Sequence, residues 1–271
     1  MRIVVLGNGY IGSAFDYNKI TREQFDVIKD SITKLYVLLQ PYDVIINTIG
    51  ITDTIWTEKQ ENLKTTLLVN SYFVGHLSEF CEKYDKKLIH ISTGDLYGNN
   101  FNWSQNTEDS NNLDYNTNYR LSKGLAEKLC NPNDTILRIR LPFDNRKHPK
   151  NLLYKSRNFT KFYQFQNCYT YVPDLVSYIK SFIIPNDLRG IYNICQNETA
   201  SLLYLWRNVI KKENLQNIDI HNNDDPNIIS ELNNIHIHND NNCEKIRQYH
   251  PQTNLEVAWL LSYAEIQKEL D

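Results

Sequence analysis

Several things are scarce or missing in this sequence, and each absence removes a class of explanation. Positive charge is not in excess: 29 Lys and Arg stand against 32 Asp and Glu, a net of −3, so no basic field points to nucleic acid or an anionic membrane. No apolar run is long enough to cross a bilayer. Met1-Arg2-Ile3-Val4-Val5-Leu6 runs straight into a strand pattern without the apolar core of a signal peptide, so no leader is expected. The five cysteines are odd in number and scattered, with neither CxxC nor another metal spacing. Reduced thiols in a cytoplasmic compartment (that of a host, if the chain is viral) and no metal site are the expectation. Glycine and methionine are rare, at nine and one, and repeats are absent. What remains, 41% apolar and 23% charged residues, is an ordinary globular composition.

The first half alternates short β-branched runs with longer amphipathic stretches. Strands are predicted at Ile3–Leu6, Phe25–Ile28, Val44–Ile49, Leu88–Ile91 and Thr135–Ile139. Helices are predicted at Tyr10–Tyr17, Ile32–Leu39, Leu63–Tyr84 and Tyr119–Leu129. Such alternation implies βαβ units, hence a parallel sheet with helices on both faces. Ligands of such sheets bind beyond the strand C-termini, so the loops starting at Gly7, Ile49, Ser92 and Arg140 are where chemistry is sought. The second half is less regular. Helices are expected at Val172–Phe182, Leu202–Lys212 and Leu255–Leu270, a strand at Arg189–Cys195, and loops in the Asn-rich stretches 99–118 and 221–242.

Two motifs carry chemistry. In VVLGNGYIGSAF, Gly7, Gly9 and Gly12 form GxGxxG between a strand and a helix. That arrangement lets the backbone of Gly7-Asn8-Gly9-Tyr10-Ile11-Gly12 approach a pyrophosphate. After the second predicted strand, Lys29 could meet a ribose 2′-phosphate and Asp30 the ribose or adenine, which favours NADP(H) over NAD(H). In NYRLSKGLAEKL, Tyr119 and Lys123 lie four apart and share a helix face. An ammonium beside a phenol lowers the phenol pKa and makes it a usable proton donor near neutral pH.

Together with ISTGDLYG at 91–98, these motifs resemble the extended short-chain dehydrogenase/reductases, the NAD-dependent epimerase/dehydratase family that acts on nucleotide sugars. The resemblance extends through DVIINTIGITDT at 43–54, Val69-Asn70, ILRIRLPF at 136–143, YVPDLV at 171–176 and GIYNIC at 190–195. It implies an α/β fold, a Rossmann-type doubly wound parallel sheet with a smaller interleaved C-terminal substrate lobe. Residues 1–140 would form the dinucleotide-binding core, with 165–195 returning to it, and 141–164 and 196–271 the nucleotide-sugar lobe. It further implies that Thr93 binds the sugar C4 oxygen, Tyr119 exchanges its proton, Lys123 orients the nicotinamide ribose, and Asn70 supports the active-site helix.

Within that family the 43–54 segment is similar to the dTDP-4-dehydrorhamnose reductases. LRIRLPFDNRKHPKNLLYKSRNF is closer to the bifunctional 3,5-epimerase/4-reductases that make UDP-L-rhamnose in plants and giant viruses. The expectation is therefore an NADPH-dependent 4-ketoreductase of a nucleotide-linked 4-keto-6-deoxyhexose, coupled to 3,5-epimerisation, with UDP- favoured over dTDP-linked substrates. A monofunctional 4-reductase is the alternative within the class, and a non-catalytic dinucleotide-binding sensor or scaffold the alternative outside it. Asp95 takes the position where bifunctional enzymes carry an acid/base cysteine, so it either transfers protons or caps a turn. His148, or Lys150 after it, is the candidate donor on the opposite ring face. Thr52, Asp53, Trp103, Arg140, Asn151 and Lys155 are candidate substrate contacts. The resemblance also implies a homodimer through the helices Leu63–Tyr84 and Tyr119–Leu129.

Overall fold

The β-branched runs do make strands. The computed structural model describes residues 1–98, 106–110, 113–196, 198–209, 219–221 and 253–268. The strands are β1 (Ile3–Leu6), β2 (Asn18–Ile20), β3 (Val44–Asn47), β4 (Lys87–Thr93), β5 (Thr135–Ile139), β6 (Pro142–Phe143), β7 (Lys161–Tyr163), β8 (Thr170–Tyr171), β9 (Gly190–Ile194) and β10 (Asp219–His221). The helices are α1 (Ile32–Leu39), α2 (Thr54–Thr57), α3 (Leu63–Leu67), α4 (Phe73–Lys83), α5 (Asn118–Leu129), α6 (Leu152–Ser156), α7 (Val172–Tyr178), α8 (Leu202–Tyr204) and α9 (Leu255–Lys268). None of the described helices is long and apolar enough to cross a membrane.

The chain divides into two units. The first comprises Met1–Leu96, Asn111–Arg138 and Ile183–Tyr192, the second Tyr97–Ser110, Ile139–Phe182 and Asn193–Asp271. A six-stranded sheet of order β2-β1-β3-β4-β5-β9 organises the first, with β1 parallel to both β2 and β3, and β3 parallel to β4. The α/β parallel-sheet class read from the sequence is thus the one found. Strand order reverses at β1, whose neighbours lie on either side, so the chain leaves β1 and β3 in opposite directions and opens a crevice at their C-terminal ends. Beneath it, Val4, Leu6 and Ile45 of the sheet pack with Leu35 and Leu39 of α1 and with Phe73, Leu77 and Phe80 of α4.

Two expectations in this region fail, for one local reason. The second strand is Asn18–Ile20, not Phe25–Ile28. Around Phe25 the backbone is taken by turns: Phe25 N–H donates to Thr21 O, Lys29 and Asp30 N–H to Asp26 O, Ile28 N–H to Asp26 Oδ1, and Asp26 N–H to Asp30 Oδ2. Side-chain carboxylates that satisfy nearby N–H groups outcompete a four-residue strand pattern. Pulling β2 forward leaves room only for a single 3-10 turn, Gly12–Ala14, where a helix over Tyr10–Tyr17 was predicted. The predicted helix Leu63–Tyr84 is found as α3 and α4 joined by a π-helical turn, Leu68–Tyr72.

The second unit has its own core, in which Trp206 and Trp259 meet edge to face at 6.3 Å and Phe143 packs on Trp259 at 4.9 Å. Short parallel pairs, β6 with β8 and β7 with β10, belong to this unit. The helices expected at Val172–Phe182 and Leu202–Lys212 both pass into π-helical turns, Ile179–Ile183 and Leu205–Val209. Among the cysteines, Cys81, Cys130 and Cys168 are free as expected, whereas Cys195 is disulfide-bonded, which corrects the expectation of reduced thiols throughout.

Candidate active site

The crevice beside β1 is shaped by glycines. Gly7 has φ +92°, the left-handed region that favours glycine. At Gly12 an added Cβ would lie 2.3 Å from Gly7 O and 2.6 Å from Thr48 Oγ1, and Thr48 is itself anchored by donating to Leu6 O at 2.8 Å. Gly9 differs: a Cβ there meets no protein atom within 4 Å. The fold therefore demands Gly7 and Gly12 and makes no packing demand at Gly9, which is what a backbone kept bare for a ligand looks like. A cavity of about 400 Å³ opens alongside, lined among others by Gly7, Asn8, Arg22, Ile28, Gly50 and Trp56. Asn8 is exposed, Ile11 half-buried, and Tyr10 turns into the core. These residues fit a dinucleotide whose pyrophosphate crosses the glycine turn.

The two glycines give a paired prediction. Gly12→Ala loses roughly 1–3 kcal/mol through overpacking against fixed backbone, read by urea denaturation. Gly9→Ala keeps the parent's stability yet loses dinucleotide affinity, read by fluorescence titration. Equal loss of stability in both would contradict this division of roles.

Lys29 and Asp30 are not placed as expected. They follow the turns after Phe25 and not a strand, Asp30 pairs with Lys34 at 2.9 Å, and Lys29 is exposed. The cation just past the end of β2 is Arg22, which is among the residues lining the cavity and pairs with Asp26 at 3.0 Å. Sequence reasoning missed Arg22 because it misplaced the strand. A Lys-Ile/Thr-Arg stretch ending a short strand was the signal available.

Helix α5 carries the phenol and ammonium. Thr117 caps it by accepting from Arg120 N–H at 3.1 Å, and the Glu58 carboxylate accepts from Asn118 N–H (3.0 Å) and Tyr119 N–H (3.2 Å). An anion at a helix N-terminus is favoured by the unpaired N–H groups there. Glu58 follows α2, so it ties the segment after β3 to the start of α5. Tyr119 and Lys123 are both buried on the inner face. Lys123 Nζ donates to Ile91 O of β4 at 2.9 Å and lies 3.5 Å from His90 Nε2. Burial lowers its pKa to about 8, with Glu127 opposing the shift. Thr93 ends β4, and its Oγ1 accepts from Asp95 N–H at 3.1 Å. In the π-helical turn, Asn70 Oδ1 accepts from Ile51 N–H at 2.7 Å while Nδ2 donates to Ile51 O and Ser122 Oγ. Asn70 thus braces α5 from behind. Widened turns of this kind recur at functional sites.

Asp95 is buried at 2% exposure, and its carboxylate accepts from Arg120 Nε at 3.1 Å. Arg120, equally buried, also donates to Asp114 through Nη1 at 2.5 Å. Asp53 caps α2 by accepting from Trp56 N–H, and Thr52 is exposed beside it. Trp103 lies outside the described residues.

The remaining candidates fall in the second unit. Asn151, a candidate substrate contact from the sequence, is fully buried, and its amide is engaged by Asp144 O, Asp144 Oδ1, Arg146 O and Leu153 N–H, which makes it the brace of the 144–151 loop. His148 is half-exposed in that loop, with Nδ1 accepting from Lys150 N–H. Burial, with Arg146 and Lys150 nearby, holds its pKa below the ordinary imidazole value. Lys150 and Lys155 are exposed. Arg140 is buried and donates from Nη2 to Asn167 Oδ1 at 3.2 Å.

Residues 3–133 match the NAD dependent epimerase/dehydratase family. No curated protein matches the chain. Among solved structures, the chain is similar to a UDP-rhamnose synthase from Acanthamoeba polyphaga mimivirus, with TM-score 0.80 and 18% identity over 97% of this chain and 99% of that one. It is also similar to a dTDP-4-dehydrorhamnose reductase from Bacillus anthracis in complex with NADP (TM-score 0.78, 16% identity, 98% and 99% covered). A UDP-glucuronic acid 4-epimerase from Bacillus cereus in complex with NAD follows at TM-score 0.74 and 18% identity, with 100% of both chains covered. At these identities the structures show a shared fold, and with the family match they bear out the resemblance carried by the sequence motifs.

Proposed function

We propose that this chain, whose residues 3–133 match the NAD dependent epimerase/dehydratase family, reduces the C4 ketone of a nucleotide-linked 4-keto-6-deoxyhexose, giving UDP-L-rhamnose or a close relative. The observation that carries the reading is Lys123, buried one helical turn from Tyr119 and held against β4 two residues before Thr93. A binding module has no use for an ammonium buried next to a phenol. The reduced nicotinamide, when bound, supplies hydride to the carbonyl carbon. Thr93 accepts from Asp95 N–H, which leaves its own O–H for the ketone oxygen. Tyr119 gives that oxygen its proton, and the Lys123 ammonium stabilises the phenolate left behind.

Removing a proton at C3 or C5 requires a base that reaches the sugar, and the Asp95 carboxylate is turned toward Arg120, whose Nε donates to its Oδ2 at 3.1 Å. The arrangement supports the reductase and gives Asp95 a structural task. UDP is kept over dTDP as the favoured nucleotide from the sequence resemblance, and a homodimer from the exposed Tyr72, Tyr84 and Leu129 on the helices named for it.

The decisive experiment incubates the protein with NADPH in D₂O, offering UDP-4-keto-6-deoxyglucose and its 3,5-epimer separately, with protein-free controls. Oxidation of NADPH with the epimer, and no enzyme-dependent deuterium at C3 or C5 with the first substrate, is expected. Deuterium at those carbons would establish the bifunctional enzyme instead. No oxidation with either would end the reductase reading.

NADP(H) is proposed over NAD(H), carried now by Arg22 and no longer by Lys29. A guanidinium at the end of β2 suits a ribose 2′-phosphate. Arg22→Ala is expected to raise the KM for NADPH about tenfold or more, the worth of one charge-assisted hydrogen bond, with the KM for NADH little changed. Parallel rises for both cofactors would remove this assignment.

A further inference from the structure

We infer that His90 is a positioning residue whose Nε2–H, fixed in place by Asn47, faces the amine of Lys123 at the end of β4. The functional consequence rests on the ketoreductase reading, but the geometry does not.

Asn47 and His90 are directly paired across the parallel strands β3 and β4, and both are fully buried. Buried polar groups at this depth are hydrogen-bonded, and here the bonding settles the tautomer. Ile49 N–H donates to Asn47 Oδ1 at 3.1 Å, which orients the amide. Its Nδ2 therefore donates to His90 Nδ1, 3.1 Å away. Turning the amide over would set its NH₂ against the Ile49 N–H. Burial and the neighbouring Lys123 push the His90 pKa well below the ordinary imidazole value, so the ring is neutral. A neutral imidazole that accepts at Nδ1 carries its proton on Nε2. That N–H points at Lys123 Nζ, 3.5 Å away, which already donates to Ile91 O.

An ammonium at this point faces a hydrogen-bond donor. A neutral amine would offer it a lone pair. His90 thus tilts Lys123 toward the neutral form, in the same direction as burial. Among the described residues, Tyr119 lies one turn back on α5, and a phenolate there would favour the ammonium. Glu127, one turn along α5, favours the ammonium, but its charge is shared with Arg138 Nη2 at 2.6 Å and with the Ser92 hydroxyl. The Cys130 thiol is pushed far up by burial and stays neutral. Gly50 adds only backbone. Lys123 with a pKa of about 8 can change protonation within the working range of the enzyme, and the pinned imidazole helps to set where.

The test begins with the unaltered protein, so it does not depend on any variant folding. ¹⁵N NMR of histidine-labelled protein should show His90 with a pyridine-type Nδ1 and a pyrrole-type Nε2. In Asn47→Asp, the carboxylate still accepts from Ile49 N–H and now accepts from His90 Nδ1–H as well. The ring proton moves to Nδ1, Nε2 becomes an acceptor for the ammonium, and the alkaline limb of kcat/KM rises by about one pH unit or more. Titration of ¹³Cε-labelled lysine follows Lys123 without turnover, so it decides the inference even if the substrate assignment fails. A parent ring protonated on Nδ1 would overturn the proposal. So would a variant in which the tautomer switches while the Lys123 titration stays where it was.

Discussion

Tyr119→Phe is expected to lose roughly a hundred- to ten-thousandfold in turnover while folding as the parent does. The substitution removes one oxygen from a residue that is 9% exposed and keeps the ring that fills its place. Main supports of that segment lie elsewhere: the Thr117 cap, the Glu58 carboxylate on the Asn118 and Tyr119 N–H groups, and Asn70 against Ser122. These four bonds do not use the phenol oxygen. Lys123 also keeps its bond to Ile91 O, so dinucleotide affinity should survive. What goes is the proton for the C4 oxygen, and Thr93 cannot replace it, because an aliphatic hydroxyl is a far weaker acid than a phenol. The measurement is NADPH absorbance under saturating substrate, with a thermal melt and a cofactor titration as controls. A large fall in kcat with both controls unchanged assigns the proton step. Unchanged activity would favour the sensor or scaffold.

The parts of this site that were legible in the sequence share a physical property: they are local. GxGxxG sits between a strand and a turn within a dozen residues, and Tyr119 and Lys123 need only a helix to come together. β4 was legible in the short apolar run Leu88–Ile91, and the strand found extends it to Lys87–Thr93. The errors were also local at first. Phe25 to Ile28 has strand-like alternation, but Asp26 and Asp30 bond their own backbone, and that preference moved β2 to Asn18–Ile20 and hid Arg22. Everything that depended on register or distant pairing stayed invisible. Asn47 meets His90 only because β3 and β4 pair at that register. Asn151 reads as a polar loop residue until the 144–151 loop closes around its amide. Asp95 reads as an acid/base because its partner comes from a different element.

That partner gives the second large effect. Arg120→Met should destabilise the protein by about 3–5 kcal/mol, the cost of leaving buried charge uncompensated. Arg120 is 3% exposed and serves two carboxylates, Asp95 at 3.1 Å and Asp114 at 2.5 Å. Asp114 is partly open to water and can rehydrate, whereas Asp95 cannot, so most of the penalty belongs to Asp95. Two consequences separate this from simple loss of packing. The deficit should shrink as pH falls through the carboxylate range, because protonating Asp95 removes the stranded charge in the folded state. Adding Asp95→Asn to Arg120→Met should recover much of the loss, since a buried pair replaced on both sides is often near neutral. Urea denaturation of the two single variants and the double variant at several pH values gives the coupling directly. A strong coupling with unchanged ketone reduction in Asp95→Asn makes the pair a brace beneath Thr93. If the stability terms simply added, and Asp95→Asn instead abolished deuterium exchange at C3 and C5, the carboxylate would be a base that Arg120 merely holds in place, and the bifunctional enzyme would return as the better reading.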